Sequence, residues 1–312
     1  DIGNLVGSAA AVALNSASLN TDTHLYQARF DTADWTGQLL SFPINSDGTV
    51  GTQDWDASEV IDTQDFDTGR AIITYRSDTP AGIPFRFANL STAQAASLDD
   101  DPSTTPVDND GEGAARLNWL RGDDTHEAAG NNYRVRSSKL GDLVHSAPFF
   151  VGAPNFFYPD TLESAPYSTF RTTHASRKSV VYVGANDGMF HGFDAENGKE
   201  VLAYVPEMVF PSLAKLTDPA YIHQYFVDGT ATVGDAFVSG SWATTLVGTL
   251  RGGAQGAFAL DVTSPANFSE TNADNIAMWE FTDADDADLG FVFGRPSIVR
   301  MANGKWAAVL GN

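Results

Sequence analysis

The sequence predicts an all-β protein: a β-propeller of repeated four-stranded units, with short helical insertions. Three observations carry that prediction. Val180 to Tyr204 reads VVYVGANDGMFHGFDAENGKEVLAY, three apolar runs of strand length punctuated by Asn-Asp-Gly and Glu-Asn-Gly. Asp-Gly and Asn-Gly favour the positive φ angles of tight hairpin turns, so the stretch reads as an antiparallel meander. The pattern then recurs. GTATVGDAFV (229–238) aligns with VHSAPFFV, ATTLVGTLRGG (243–253) with SVVYVGANDG, GAFALDVTSP (256–265) with GMFHGFDAEN, and AMWEFTD (277–283) with EVLAYVP. A third copy starts at GRPSIVRM (294–301), turns at Asn303-Gly304 and continues as KWAAVLGN. The spacing is regular as well: the glycine closing the second strand is Gly184, then Gly248, then Gly311, steps of 64 and 63 residues. Four short strands at a fixed period, with turn signals between, are the mark of propeller blades. The step exceeds the roughly 40 to 50 residues of common blades, so long inter-strand loops are expected. An ordinary β-sandwich is the competing reading.

In chain order, AVALNS (11–16) is a candidate inner strand. HLYQARFDT (24–32) is a second, with a bulge expected near Ala28, because Leu25, Gln27 and Phe30 cannot share one face. Asp34 to Gly37 turns, GQLLSFPI (37–44) is the third strand, Ser46-Asp47-Gly48 turns again, and TVGTQDWDA closes the unit. AIITYRS (71–77) is β-branched and strand-like, with IPFRFAN (83–89) as its partner. LSTAQAASLD (90–99) reads as a short helix capped by Ser91, and AARLNWLRG (114–122) as a second. The acidic loop DDDPSTTPVDNDGEG lies between them. Residues 90–141 are therefore read as an insertion on the β scaffold. A strand in DLVHSAPFFVG leads into the meander, and a short helix near 211–217 separates it from the second copy. At this period residues 1–312 hold about four to five blades of a single propeller domain. The last copy has only its first two strands, so a truncated blade and a longer parent protein are expected.

Composition narrows the function classes. The chain has 18 Lys and Arg against 40 Asp and Glu, a formal charge of −22. Such a field repels nucleic acid and anionic membrane surfaces and favours cations. There is no cysteine, which removes disulfides, thiolate metal sites and cysteine nucleophiles. No run reaches the length of a membrane helix. The start, DIGNLVGSAAAVALNSASL, lacks the basic n-region of a signal peptide. His24, His126, His145, His174, His191 and His223 show no metal-type spacing. His145 and His191 fall on predicted strands and read as satisfied packing residues. Ser146 has no Gly-x-Ser-x-Gly elbow around it, and Gly184 to Gly188 joins two strands instead of opening a helix, so it is no phosphate loop.

The segments LYQARFDTADWTGQLLSFPI (25–44), LNWLRGD (117–123), RSSKLGDLVHSAPFFVG (136–152), YVGANDGMFHGFDAENGKEVLAYVP (182–206), LTDPAYIHQYFVDGTATVGDAF (216–237), GGAQGAFALDVTSP (252–265) and 279–312 carry a resemblance. Together they make the chain similar to the C-terminal β-propeller of type IV pilus tip adhesins of the PilC and PilY type. The resemblance implies a non-enzymatic, exported protein at the outer membrane and pilus tip. It implies partners among the minor pilins and a host or surface ligand, and a role in pilus assembly against retraction, attachment and twitching motility. It also implies calcium, with the main site expected beyond Asn312. Two weaker calcium candidates lie within the chain: Asp108, Asp110 and Glu112, where alternating oxygens and a glycine match part of a calcium loop, and Asp283, Asp285 and Asp288. Arg121-Gly122-Asp123 spells an integrin-type tripeptide; the alternative is a helix end. The repeats also resemble blades of quinoprotein alcohol dehydrogenases, which keeps a quinone enzyme as a rival, although the vicinal disulfide usual in such sites is impossible here. A glycan- or protein-binding propeller unrelated to pili is the other alternative.

Overall fold

A computed structural model describes residues 11–15, 23–104, 108–127 and 133–311. The first sheet contains β1 (Ala11–Leu14), β2 (His24–Asp31), β3 (Thr36–Pro43) and β4 (Trp55–Asp56), antiparallel and in chain order. Tyr26 and Ala28 alternate as buried residues on β2. The bulge expected near Ala28 is absent: β2 and β3 pair without a break from His24↔Pro43 to Asp31↔Thr36. Tyr26, Ala28 and Phe30 share one face, and Leu25 and Gln27 take the other with partial exposure, so no residue has to be skipped.

Helix α1 (Ala57–Thr63) follows, its first turn capped by the Asp56 carboxylate, which accepts from Ser58 N. The hairpin β5 (Ile72–Arg76) and β6 (Ala81–Pro84) comes next. The partner strand stops earlier than the sequence suggests, since residues 87–89 form a 3₁₀ turn. Helix α2 (Thr92–Asp99) starts with a complete capping box of Ser91 and Gln94. The two-residue strands β7 (Asp100–Asp101) and β8 (Asp108–Asn109) pair across the acidic loop. Helix α3 (Gly113–Arg121) ends on Gly122 at φ 117°, a left-handed terminus that suits glycine.

The opening stretch of the sequence analysis forms the centre of the second sheet: β9 (Phe149–Val151), then α4 (Tyr167–Thr173) in the connecting loop, then β10 (Val180–Gly184), β11 (Phe190–Asp194) and β12 (Glu200–Val205). The strand order is β6-β5-β12-β11-β10-β9. The meander is as expected, but β5 adds to its outer edge in parallel, Tyr204 opposite Ile73. After α5 (Phe210–Leu213) comes the third sheet: β13 (Thr232–Val238), β14 (Ser241–Thr249), β15 (Gly256–Asp261) and, beyond α6 (Ala273–Ile276), β16 (Ala277–Thr282). The antiparallel hairpin β17 (Ser297–Arg300) and β18 (Trp306–Val309) follows.

The repeat glycines occupy equivalent places. Gly184 pairs with Phe190 and Gly248 with Phe258. A Cβ on Gly184 would stand 2.1 Å from Val227 O, and one on Gly248 would stand 2.2 Å from the Phe258 ring. Each sheet twists against its neighbour, with β9 beside both β1 and β13, and β13 beside β17. First strands therefore gather along one line, as in a propeller. This packing explains why β10 reads VVYVG without alternation. Val181 and Val183 join Tyr26, Ala28 and Leu39 in the core under the first sheet. Val180 and Tyr182 point the other way, into the larger core with Phe190, Leu246 and Phe258. A strand covered on both faces carries a continuous apolar run.

Candidate functional site

The loops entering the second and third sheets meet in a seam of crossed histidine–aspartate pairs. His223 Nε2 lies 3.0 Å from Asp142 Oδ2, and His145 Nδ1 lies 2.5 Å from Asp228 Oδ2. Asn186 joins them: its amide Nδ2 donates to Asp142 Oδ2 at 2.6 Å, and its Oδ1 accepts from Phe226 N at 2.9 Å. The first sheet reaches the same place through the β2–β3 turn. There Trp35, at φ 58°, stacks on His223 with ring centroids 3.6 Å apart. Burial pushes the Asp228 carboxyl up, while hydrogen bonds from the His145 backbone and ring pull the other way. A histidine–aspartate pair can serve as an acid–base dyad when a nucleophile stands next to it. Here Ser146 is buried, donates to Gly229 O at 3.1 Å and accepts from Gly184 N at 2.8 Å. Its hydroxyl is consumed in joining sheets, so the seam fastens loops.

The acidic side chains of the two calcium candidates are engaged by protein donors or exposed. Both oxygens of Asp110 are held by the Arg116 guanidinium, at 2.8 and 2.5 Å, which keeps the carboxyl below its ordinary range. Asp108 lies exposed on β8, and Glu112 precedes α3 with its side chain in solvent. Asp285 Oδ2 accepts from Thr282 N at 2.9 Å, closing the turn after β16, and Asp286 Oδ1 accepts from Asp288 N at 3.0 Å; Asp283, Asp285 and Asp288 are all exposed. Among the described residues no three acidic or histidine side chains converge so as to hold a metal ion. The local sequence pattern encodes turn-capping aspartates instead.

The tripeptide is likewise internal. Arg121 is 0% exposed. Its guanidinium donates to Phe85 O and Phe66 O at 3.0 Å each and pairs with Glu270 at 2.9 Å. Gly122 is the helix terminus, and Asp123 Oδ1 accepts from Thr125 N. An integrin-type contact needs the arginine and aspartate presented together on an exposed loop, and this arrangement withholds the arginine.

One group of side chains is not visible in the sequence. Asp187, His191 and Glu200, close in the chain, are met in the interior behind β11 and β12 by Arg70, which lies 130 residues before Glu200. Spacing gives no sign of it, because Arg70 arrives from the segment before β5, and only the parallel pairing of β5 with β12 brings it there. Behind it Arg136 lies over the Trp119 ring at 3.7 Å and pairs with Glu127, carrying the helical layer against the sheet.

Successive antiparallel four-stranded meanders, the second extended by the β5–β6 hairpin, with neighbouring first strands and polar seams between them, define a propeller-type scaffold protein. The chain belongs to the PilY1 β-propeller family: residues 140–312 match the family described as the PilY1 beta-propeller domain. It is 38% identical over 299 residues to the type IV pilus biogenesis factor PilY1 of Pseudomonas aeruginosa strain UCBPP-PA14, an alignment covering 92% of this chain and 25% of that protein. It is 35% identical over 318 residues to a PilY1 homolog of Xylella fastidiosa, covering all of this chain and 24% of the relative. The chain thus spans about a quarter of the length of the curated relatives it matches. A crystal structure of the Pseudomonas aeruginosa PilY1 C-terminal domain shares 41% sequence identity, with a TM-score of 0.42 over 52% of this chain and 31% of that one. These relatives are named as type IV pilus biogenesis factors.

Proposed function

We propose that the chain is the β-propeller part of a type IV pilus biogenesis factor. It works by binding, without catalysis, at the cell surface and pilus tip. There it supports pilus assembly and extension against retraction, surface attachment and twitching motility. The observation that carries this reading is the 38% identity maintained over 92% of the chain to proteins named as such factors. The physical character of the chain agrees with it. Polar side chains that a catalyst would leave free are spent on joining sheets, and a formal charge of −22 disfavours nucleic-acid partners. The partners in this reading are minor pilins of the tip complex, together with a host or abiotic surface. Calcium belongs to the reading as a ligand of the longer protein. Immobilised chain should capture purified minor pilins from solution, with a capture signal that a scrambled-surface propeller lacks. Absence of capture by both this chain and the whole protein would sink the partner assignment.

A further inference from the structure

The charged group behind β11 and β12 has a geometry that fixes its protonation. Arg70 Nε donates to Glu200 Oε2 at 2.6 Å and Arg70 Nη2 to Glu200 Oε1 at 2.8 Å, a bidentate pair with both side chains essentially unexposed. A carboxylate so held is ionised and can only accept. Asp187 Oδ1 accepts from Met189 N at 3.0 Å and its Oδ2 from Gly141 N at 2.9 Å, so both oxygens face donors. His191 lies between these two carboxylates with 0% exposure. Its Nδ1 is 2.7 Å from Glu200 Oε1, and its Nε2 is 3.2 and 3.1 Å from the two oxygens of Asp187. A neutral imidazole has one N–H and one lone pair, so one nitrogen would turn its lone pair on a buried carboxylate. Only the imidazolium donates from both nitrogens.

We infer that His191 is a buried imidazolium at neutral pH, and that it completes a net-neutral quartet of Arg70, His191, Asp187 and Glu200. The quartet is a charge latch that clamps the helical layer and the β5–β6 hairpin onto the second sheet and loosens under alkaline conditions. The connections run outward from each member. Arg70 Nη1 donates to Arg121 O at 2.5 Å, at the end of α3. Asp187 holds Gly141 N, where the chain leaves the insertion. Glu200 N donates to Gln64 Oε1 at 2.8 Å, just after α1. The groups facing the His191 ring are Asp187 from the β10–β11 turn and Glu200 from β12. Arg70 stands behind Glu200, with Asp62 and Lys139 around Arg70. The cross-strand neighbours Val183 and Ala203 are apolar, and Phe193 stacks on the ring at 15°.

Burial alone would pull the imidazole down. The Asp187 and Glu200 carboxylates outweigh it and hold His191 at about 9, above the ordinary 6.5. A raised pKa contributes stability that is complete below 6.5 and is lost as pH climbs through about 9. The test is long-range ¹H–¹⁵N NMR on the 312-residue chain with labelled histidine. The buried ring is identified by its NOEs to Phe193, so no change at His191 is needed. We expect both ring nitrogens protonated at pH 7, with loss of one proton near pH 9. Asp187→Asn should lower that midpoint toward the ordinary histidine range near 6.5 and bring the alkaline fall in Tm down with it. A bare ring nitrogen on His191 at pH 7 would overturn the inference. So would an Asp187→Asn midpoint equal to that of the parent chain.

Discussion

At the scale of single residues, stability rests on charges that have left water and found partners. Glu200 shows the sign most clearly. Burial alone would raise its carboxyl, but the Arg70 guanidinium and then His191 outweigh that and bring it down to about 2. A depressed carboxyl contributes stability that is complete above its ordinary value near 4.5 and is lost as pH falls through about 2. Glu200→Gln strands Arg70 without its carboxylate and should cost about 3–5 kcal/mol at pH 7. Denaturant melts at pH 7, 4 and 2 check this: the gap between variant and parent should narrow steadily on acidification, and a constant gap would contradict it. The sequence disclosed little of this layer. His191 could be read as a satisfied interior residue with Asp187 and Glu200 nearby in the same meander, but Arg70 could not be named, because it reaches Glu200 across 130 residues of chain. The aspartate runs at 108–112 and 283–288 are ambiguous in sequence for the opposite reason. Spacing that suits a calcium loop also suits aspartates capping their own turns, and only the positions of Arg116 and Thr282 distinguish the two.

At the scale of elements, local chemistry was legible wherever an element carries its own start and stop signals. α2 begins one residue after Ser91 because the Ser91 hydroxyl accepts from Gln94 N while the Gln94 side chain accepts from Ser91 N. Gln94 Nε2 also donates to Tyr75 O at 2.7 Å, tying the helix to β5. Ser91→Ala removes the cap and should lower stability by about 1 kcal/mol. Hydrogen exchange should show the loss as faster exchange confined to the first turn of α2; unchanged protection there would mean that Gln94 alone defines the start. What the sequence could not supply was the destination of the β5–β6 hairpin. Ile72, Ile73 and Tyr75 announce a buried strand, yet nothing local says that β5 will join β12 in parallel, and it is that pairing which brings Arg70 to Glu200. The expected bulge on β2 failed for a related reason: alternation was judged as if Leu25 had to be buried, whereas an outer face of this sheet tolerates it half-exposed.

At the scale of the molecule, the repeat was the most legible feature. A 64-residue step could be read from Gly184 and Gly248, where a side chain would run into the Val227 carbonyl and the Phe258 ring respectively. The unbroken apolar run of β10 follows from its place between two sheets, and the polar seam at Asp142, His145, His223 and Asp228 follows from the need to satisfy loop groups between them. In the proposed reading this propeller belongs to a pilus biogenesis factor and is needed for its work. In-frame removal of residues 1–312 from the parent gene, followed by counting surface pili and measuring twitching zones, tests it most directly. Few or no surface pili and lost twitching are expected, restored by the intact gene at matched protein levels. Normal pili and twitching with a stably produced truncated protein would contradict it.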